Sequence, residues 1–75
     1  MVPISAKVVA VYKESRQYRV VVQIAFDKNP APFHTFRFGK IKPFTGGYHD
    51  GQLDLFYYRD PELQEGEPFP LWTIL

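Results

Sequence analysis

Between Phe33 and Phe44 the chain interleaves rings with cations: Phe33-His34-Thr35-Phe36-Arg37-Phe38-Gly39-Lys40-Ile41-Lys42-Pro43-Phe44. Flat rings stack on nucleobases while Lys and Arg neutralise phosphates, and each stacked base is worth ~1–3 kcal/mol. On that chemistry Phe33, Arg37, Lys40, Lys42, Phe44 and Tyr48 form a candidate site for single-stranded DNA or RNA. The same run also reads as ordinary sheet packing. Phe36 and Phe38 alternate with Thr35 and Arg37, which sends the two rings to one face, and Gly39 suits a bend at a barrel corner. Phe33, Phe44 and Tyr48 are the rings a core explains least.

Other reactive residue types do not assemble into a motif. His34, His49 and Asp50 lack metal-ligand spacing, and the chain has no cysteine, which excludes disulfides and thiolate sites. Ser5 and Ser15 have no His near them in sequence and no glycine-rich oxyanion context. Asp50 and Asp54 could exchange protons, but a chain this short rarely builds a water-excluded pocket. Gly46-Gly47 lacks the Lys-Ser/Thr that completes a phosphate cradle. The expectation is a protein that is not an enzyme and carries no metal or cofactor.

Charge is distributed unevenly along the chain. Residues 1–44 hold eight Lys and Arg against Glu14 and Asp27, a net +6. Residues 45–75 hold Arg59 against Asp50, Asp54, Asp60, Glu62, Glu65 and Glu67, a net −5. Such asymmetry points to charged partners and to steered association.

Seventy-five residues make one domain, 1–75, near the size at which a single core suffices. Seven Phe, five Tyr and one Trp offset the short length, because each ring buries a large apolar area. No apolar run is long enough to span a bilayer, and the N-terminal residues lack the pattern of a signal peptide. A cytoplasmic protein without membrane association is expected.

Prolines at 3, 30, 32, 43, 61, 68 and 70 leave little room for a long helix. The free window 4–29 is rich in β-branched residues. Strands are therefore expected over 4–13, 18–27, 33–39, 52–58 and 70–75. Thr45–Gly51 reads as a turn. In the first hairpin, pairing Val8 with Val22 and Tyr12 with Tyr18 gathers the apolar rows on one face and demands an odd loop centred on Ser15. The other face then shows Val9, Val11 and Val21 rimmed by Lys7, Lys13 and Arg19, an apolar centre with a charged edge. Asp60-Pro61-Glu62 is a helix-start pattern and predicts a short helical turn over 61–65, stopped by Gly66.

These elements describe an all-β fold, a small five-stranded antiparallel barrel, SH3-like with OB-like as the alternative. The leading expectation for function is a non-enzymatic binding module, an accessory or inhibitory protein that docks on a larger protein. Its expected contact residues are Arg37, Phe44, Tyr48, Tyr58, Val9, Val11 and Val21, because exposed aromatics and Arg dominate binding energy. The alternative is the nucleic-acid site above. Self-association through the valine face or an unpaired strand edge is compatible with both.

Overall fold

The computed structural model describes residues 1–25, 32–39 and 41–74. The chain runs through β1 (Val2–Pro3), β2 (Ala6–Lys13), β3 (Tyr18–Ile24), a 3₁₀ turn (Phe33–Thr35), β4 (Phe36–Phe38), β5 (Thr45–His49), β6 (Gln52–Tyr57) and β7 (Leu71–Thr73). They form two antiparallel sheets, β1-β7-β4 and β2-β3-β6-β5.

β5 and β6 alternate in burial as half-buried strands should, whereas β3 buries Val20, Val21 and Val22 in succession and β2 loses the period at its bulge. Val20, Val22 and Ile24 of β3 and Leu53, Leu55 and Tyr57 of β6 are buried and meet Val8 of β2. Phe36 of β4, Leu71 of β7 and Phe69 complete the core from the other side. The sheets are joined along the edge of β2. Ile4 N–H donates to Leu71 O, Phe69 N–H to Ala6 O and Val8 N–H to Glu67 O, at 2.9, 3.0 and 2.9 Å. Among the described residues no strand ladder joins β4 to β5, so in place of the expected five-stranded barrel the strands form two antiparallel sheets.

Four local expectations are corrected. Val8 pairs with Val22 as expected, but a bulge between Val8 and Ala10 shifts the register, so Tyr12 faces Arg19 and Lys13 faces Tyr18. The hairpin therefore closes on the even loop Glu14–Gln17, bonded from Glu14 N–H to Gln17 O at 2.9 Å. The bulged residue absorbs the parity that an odd loop was expected to supply. It also turns Val11 toward the core and Tyr12 outward.

Thr45–His49 is a strand, not a turn. The turn is the two-residue Asp50-Gly51, with φ of 49° and 79°. Positive φ at both positions matches the right-handed twist of the flanking strands, and Asp-Gly is a favoured pair there.

The helical turn over 61–65 does not form. The Asp60 carboxylate does accept the Glu62 N–H, at 2.8 Å, as a helix-start Asp would. Glu62 itself takes φ 57°, however, and a left-handed residue there turns the chain away from a helical path.

Phe33–Thr35 is a 3₁₀ turn rather than the start of a strand. Thr35 spends its hydroxyl on local and cross-sheet bonds, to Pro32 O at 2.7 Å and Thr73 Oγ1 at 3.0 Å. Of the expected strand 18–27, residues 26 and 27 lie outside the described residues, as do Lys40 and Leu75.

Candidate docking face

The two faces of the β2-β3-β6-β5 sheet are unlike. Register places Tyr12, Arg19, Phe56 and Thr45 in one row across the outer face. The next row holds Ala10, Val21, Asp54 and Gly47. Phe44 and Tyr58, flanking β5 and β6, extend the first row sideways.

This row is packed within itself. Phe44 and Tyr58 stack at 3.9 Å with their planes 12° apart. Phe44 also leans on Phe56, with ring centres 6.4 Å apart. The Arg19 guanidinium lies over the Tyr12 ring, 5.6 Å from its centre. Its Nε and Nη2 both donate to Asp54 Oδ1, at 3.2 and 2.9 Å. Despite these contacts Tyr58 is 72% exposed, Tyr12 49% and Phe44 41%. Large rings held in place yet open to water are the residues from which interface anchors are drawn.

The structure separates the residues expected to bind a protein. Phe44 and Tyr58 come together on the outer face, with Val21 buried in the row beside them. Val9 stands exposed at the bulge. Val11 and Tyr48 pack against the core from inside. Arg37 is on the smaller sheet, where Nη1 donates to His34 O and Phe36 O at 3.0 and 2.9 Å.

The residues expected to bind nucleic acid are also divided. Phe33, Arg37 and Lys42 line one cleft of about 620 Å³ together with His34, Phe36 and Phe38. Phe44 is on the outer sheet face instead, Tyr48 packs on the core, and Lys40 is outside the described residues. Tyr12, which helps complete the row, was expected in the core because the bulge at Val9 reverses the faces of β2 beyond it, and Phe56 joins the row through the pairing of β6 with β3. A Tyr and an Arg expected on opposite faces of the hairpin thereby become cross-strand neighbours.

Comparison of the chain with protein-family models, with curated proteins and with solved structures finds no match. The reading therefore rests on geometry.

The charge split of the sequence is not a split in space. Gly66 N–H donates to Val8 O at 2.8 Å, and Lys7 bridges Pro68, so the acidic stretch runs along β2. Lys7 and Glu65 line the same groove. His49 meets Asp50 at 3.0 Å, both side chains almost wholly exposed. Among the described residues no three His, Asp or Glu side chains converge as metal ligands, and no helix is long and apolar enough to cross a membrane. Tyr57, in the core, has its phenol pushed up to about 12 by burial.

Proposed function

We propose that this protein is a non-enzymatic binding module that docks on a larger protein through the outer face of its four-stranded sheet. The observation carrying this reading is the Tyr12–Arg19–Phe56–Phe44–Tyr58 row, pre-ordered by ring and guanidinium contacts and still open to solvent. Side chains already held in one geometry lose little freedom on binding, so more of their contact energy appears as affinity. Asp54 and the polar residues around the row supply the rim that such a patch requires. The same reading carries an architectural proposal, a small open barrel. Its support is the set of backbone bonds that ties Ile4 and β2 to Leu71 and the segment leading into β7, and the approach of β5 to the 3₁₀ turn.

The test is recovery of partner from native lysate by wild type, Phe44→Ser and Tyr58→Ser proteins, each first shown to be folded. Recovery should fall at least several-fold in both variants. Unchanged recovery would remove the outer face as the docking surface.

A second reading is favoured by one observation, the gathering of Phe33, Arg37 and Lys42 in a single cleft. That cleft could seat a single-stranded nucleic acid with Phe33 as platform. Binding of a labelled oligonucleotide should then weaken steeply with salt and be reduced in Arg37→Ala. An oligonucleotide that shows no binding at low salt eliminates this reading.

A further inference from the structure

We infer that the cleft on the smaller sheet takes a small amphiphile, an apolar body with one anionic head, carboxylate or phosphate. This site is independent of the docking face, and its occupant is not a nucleic-acid strand. The first argument is what lines the cleft. Phe33 and His34 come from the 3₁₀ turn, Phe36, Arg37 and Phe38 from β4 at the edge of its sheet, and Lys42 from the connection to β5. Three rings make the wall apolar, and no Asp or Glu is among the lining residues. A volume of about 620 Å³ suits one small molecule, and such sites combine an apolar lining with a few placed polar groups.

The second argument is unspent charge. Arg37 Nη1 is anchored on His34 O and Phe36 O, at 3.0 and 2.9 Å, which holds the guanidinium against its own strand. Its Nε and Nη2 have no hydrogen-bond partner among the described residues, and neither has the Lys42 ammonium. Other cations have acids at hand. Arg19 bonds Asp54, Lys7 shares a groove with Glu65, and Lys13 and Arg59 stand next to Glu14 and Asp60 in the chain. An anchored guanidinium and a free ammonium in one acid-free cleft suit an anionic oxygen head, because charge-assisted hydrogen bonds are the stronger kind.

The third argument separates a small molecule from a strand. The Phe33 plane crosses those of Phe36 and Phe38 at 77° and 45°, with ring centres 6.0 and 6.2 Å apart. Rings at such angles form a corner for one alkyl or aromatic body, not a run of parallel platforms for successive bases. Phe44 and Tyr48, the rings that would carry a strand onward, lie on the outer sheet face and against the core.

The experiment is isothermal titration calorimetry on the full chain with octanoate, octyl phosphate, 1-octanol and oligo(dT). The better anionic probe should bind about tenfold tighter than 1-octanol, a difference of ~1.4 kcal/mol, and its identity distinguishes carboxylate from phosphate. That advantage should shrink with salt and fall several-fold in Arg37→Ala and in Lys42→Ala, each first shown to be folded. Tyr58→Ser should bind as wild type does. Equal binding of 1-octanol and both anions overturns the anionic head, and no binding of either anion overturns the inference outright. An advantage that survives both cleft variants, or is lost in Tyr58→Ser, puts the site elsewhere and overturns it too. Tighter binding of oligo(dT) that is lost in Arg37→Ala replaces the small molecule with a nucleic acid.

Discussion

The inner and outer faces of the four-stranded sheet are built from the same strands and the same alternation, yet they hold their side chains by different physics. On the inner face Val20, Val22, Leu53 and Leu55 are fully buried, in one cluster with Phe36 and Leu71 of the opposite sheet. On the outer face the rings of Tyr12, Phe44 and Tyr58 stay open to solvent although Val21 is buried, and order comes from sideways contacts: ring on ring, guanidinium on ring, guanidinium on carboxylate. The inner face exchanges water for aliphatic contact and determines stability. The outer face retains exposed apolar area in a fixed shape, which is what a binding surface needs.

The largest test of that contrast is Leu55→Ala, which empties a wholly buried site. A loss of ~2–5 kcal/mol is expected, read from chemical denaturation. A loss below about 1 kcal/mol would mean that the inner face is not a close-packed core.

The adjacent glycines of β5 give a second test. A Cβ at Gly46 would lie 2.7 Å from both Asp54 O and Phe33 Cζ, while one at Gly47 meets nothing within 4 Å. Gly46 points inward opposite Leu55, and Gly47 points outward opposite Asp54. Gly46→Ala should cost ~1–3 kcal/mol through overpacking. Gly47→Ala should be neutral or slightly stabilising, since Ala restricts the unfolded chain. Equal effects would erase the distinction between the faces.

Tyr57 extends the comparison to pH. Its phenol is pushed from 10.0 to about 12 by burial, so the unfolded chain releases this proton before the folded protein does. Stability is therefore unaffected below pH ~10 and falls as pH rises toward ~12, by on the order of 1 kcal/mol per unit. Tyr57→Phe should remove that slope, together with one late-titrating tyrosine in the ultraviolet spectrum. A wild-type alkaline slope retained in the variant would show that the phenol is not held neutral by the core.

Tyr58→Ser should also have only a small effect. The ring is mostly exposed, and among the described residues its one ring contact is the stack on Phe44. Stability should change by about 1 kcal/mol or less, the scale of an aromatic pair. A loss comparable to that of Leu55→Ala would mean that the outer row supports the fold rather than a partner.

Much of the inner face could be read directly from residue order. Tyr18, Val20, Val22 and Ile24 form one row at every second residue, between Arg19, Val21 and Gln23, and Val8 opposite Val22 followed from matching two such rows. The β character of the chain and the absence of a long helix followed from its prolines and β-branched residues. The outer face was legible only in part. Phe44 and Tyr58 stood out as rings that no core row claimed. Tyr12 was assigned to the core because a regular strand would put it there, and Asp60-Pro61-Glu62 was read as a helix because its local bonding is shared with a turn. Thr45-Gly46-Gly47 was read as a loop because glycine weakens a strand in isolation. Opposite Leu55, with the Phe33 ring pressed close, a side chain at Gly46 would clash, so the strand requires glycine there.

By itself the sequence determined which side chains must leave water and that strands would carry them, because alternation is a local property with a period of two residues. Tertiary structure decided three things. It placed the bulge at Val9, set the acidic stretch against β2 instead of apart from the basic half, and brought together Phe44, Phe56 and Tyr58. Each of these depends on a partner distant along the chain. A one-residue slip against such a partner reverses a whole face, and no local propensity can resolve that choice.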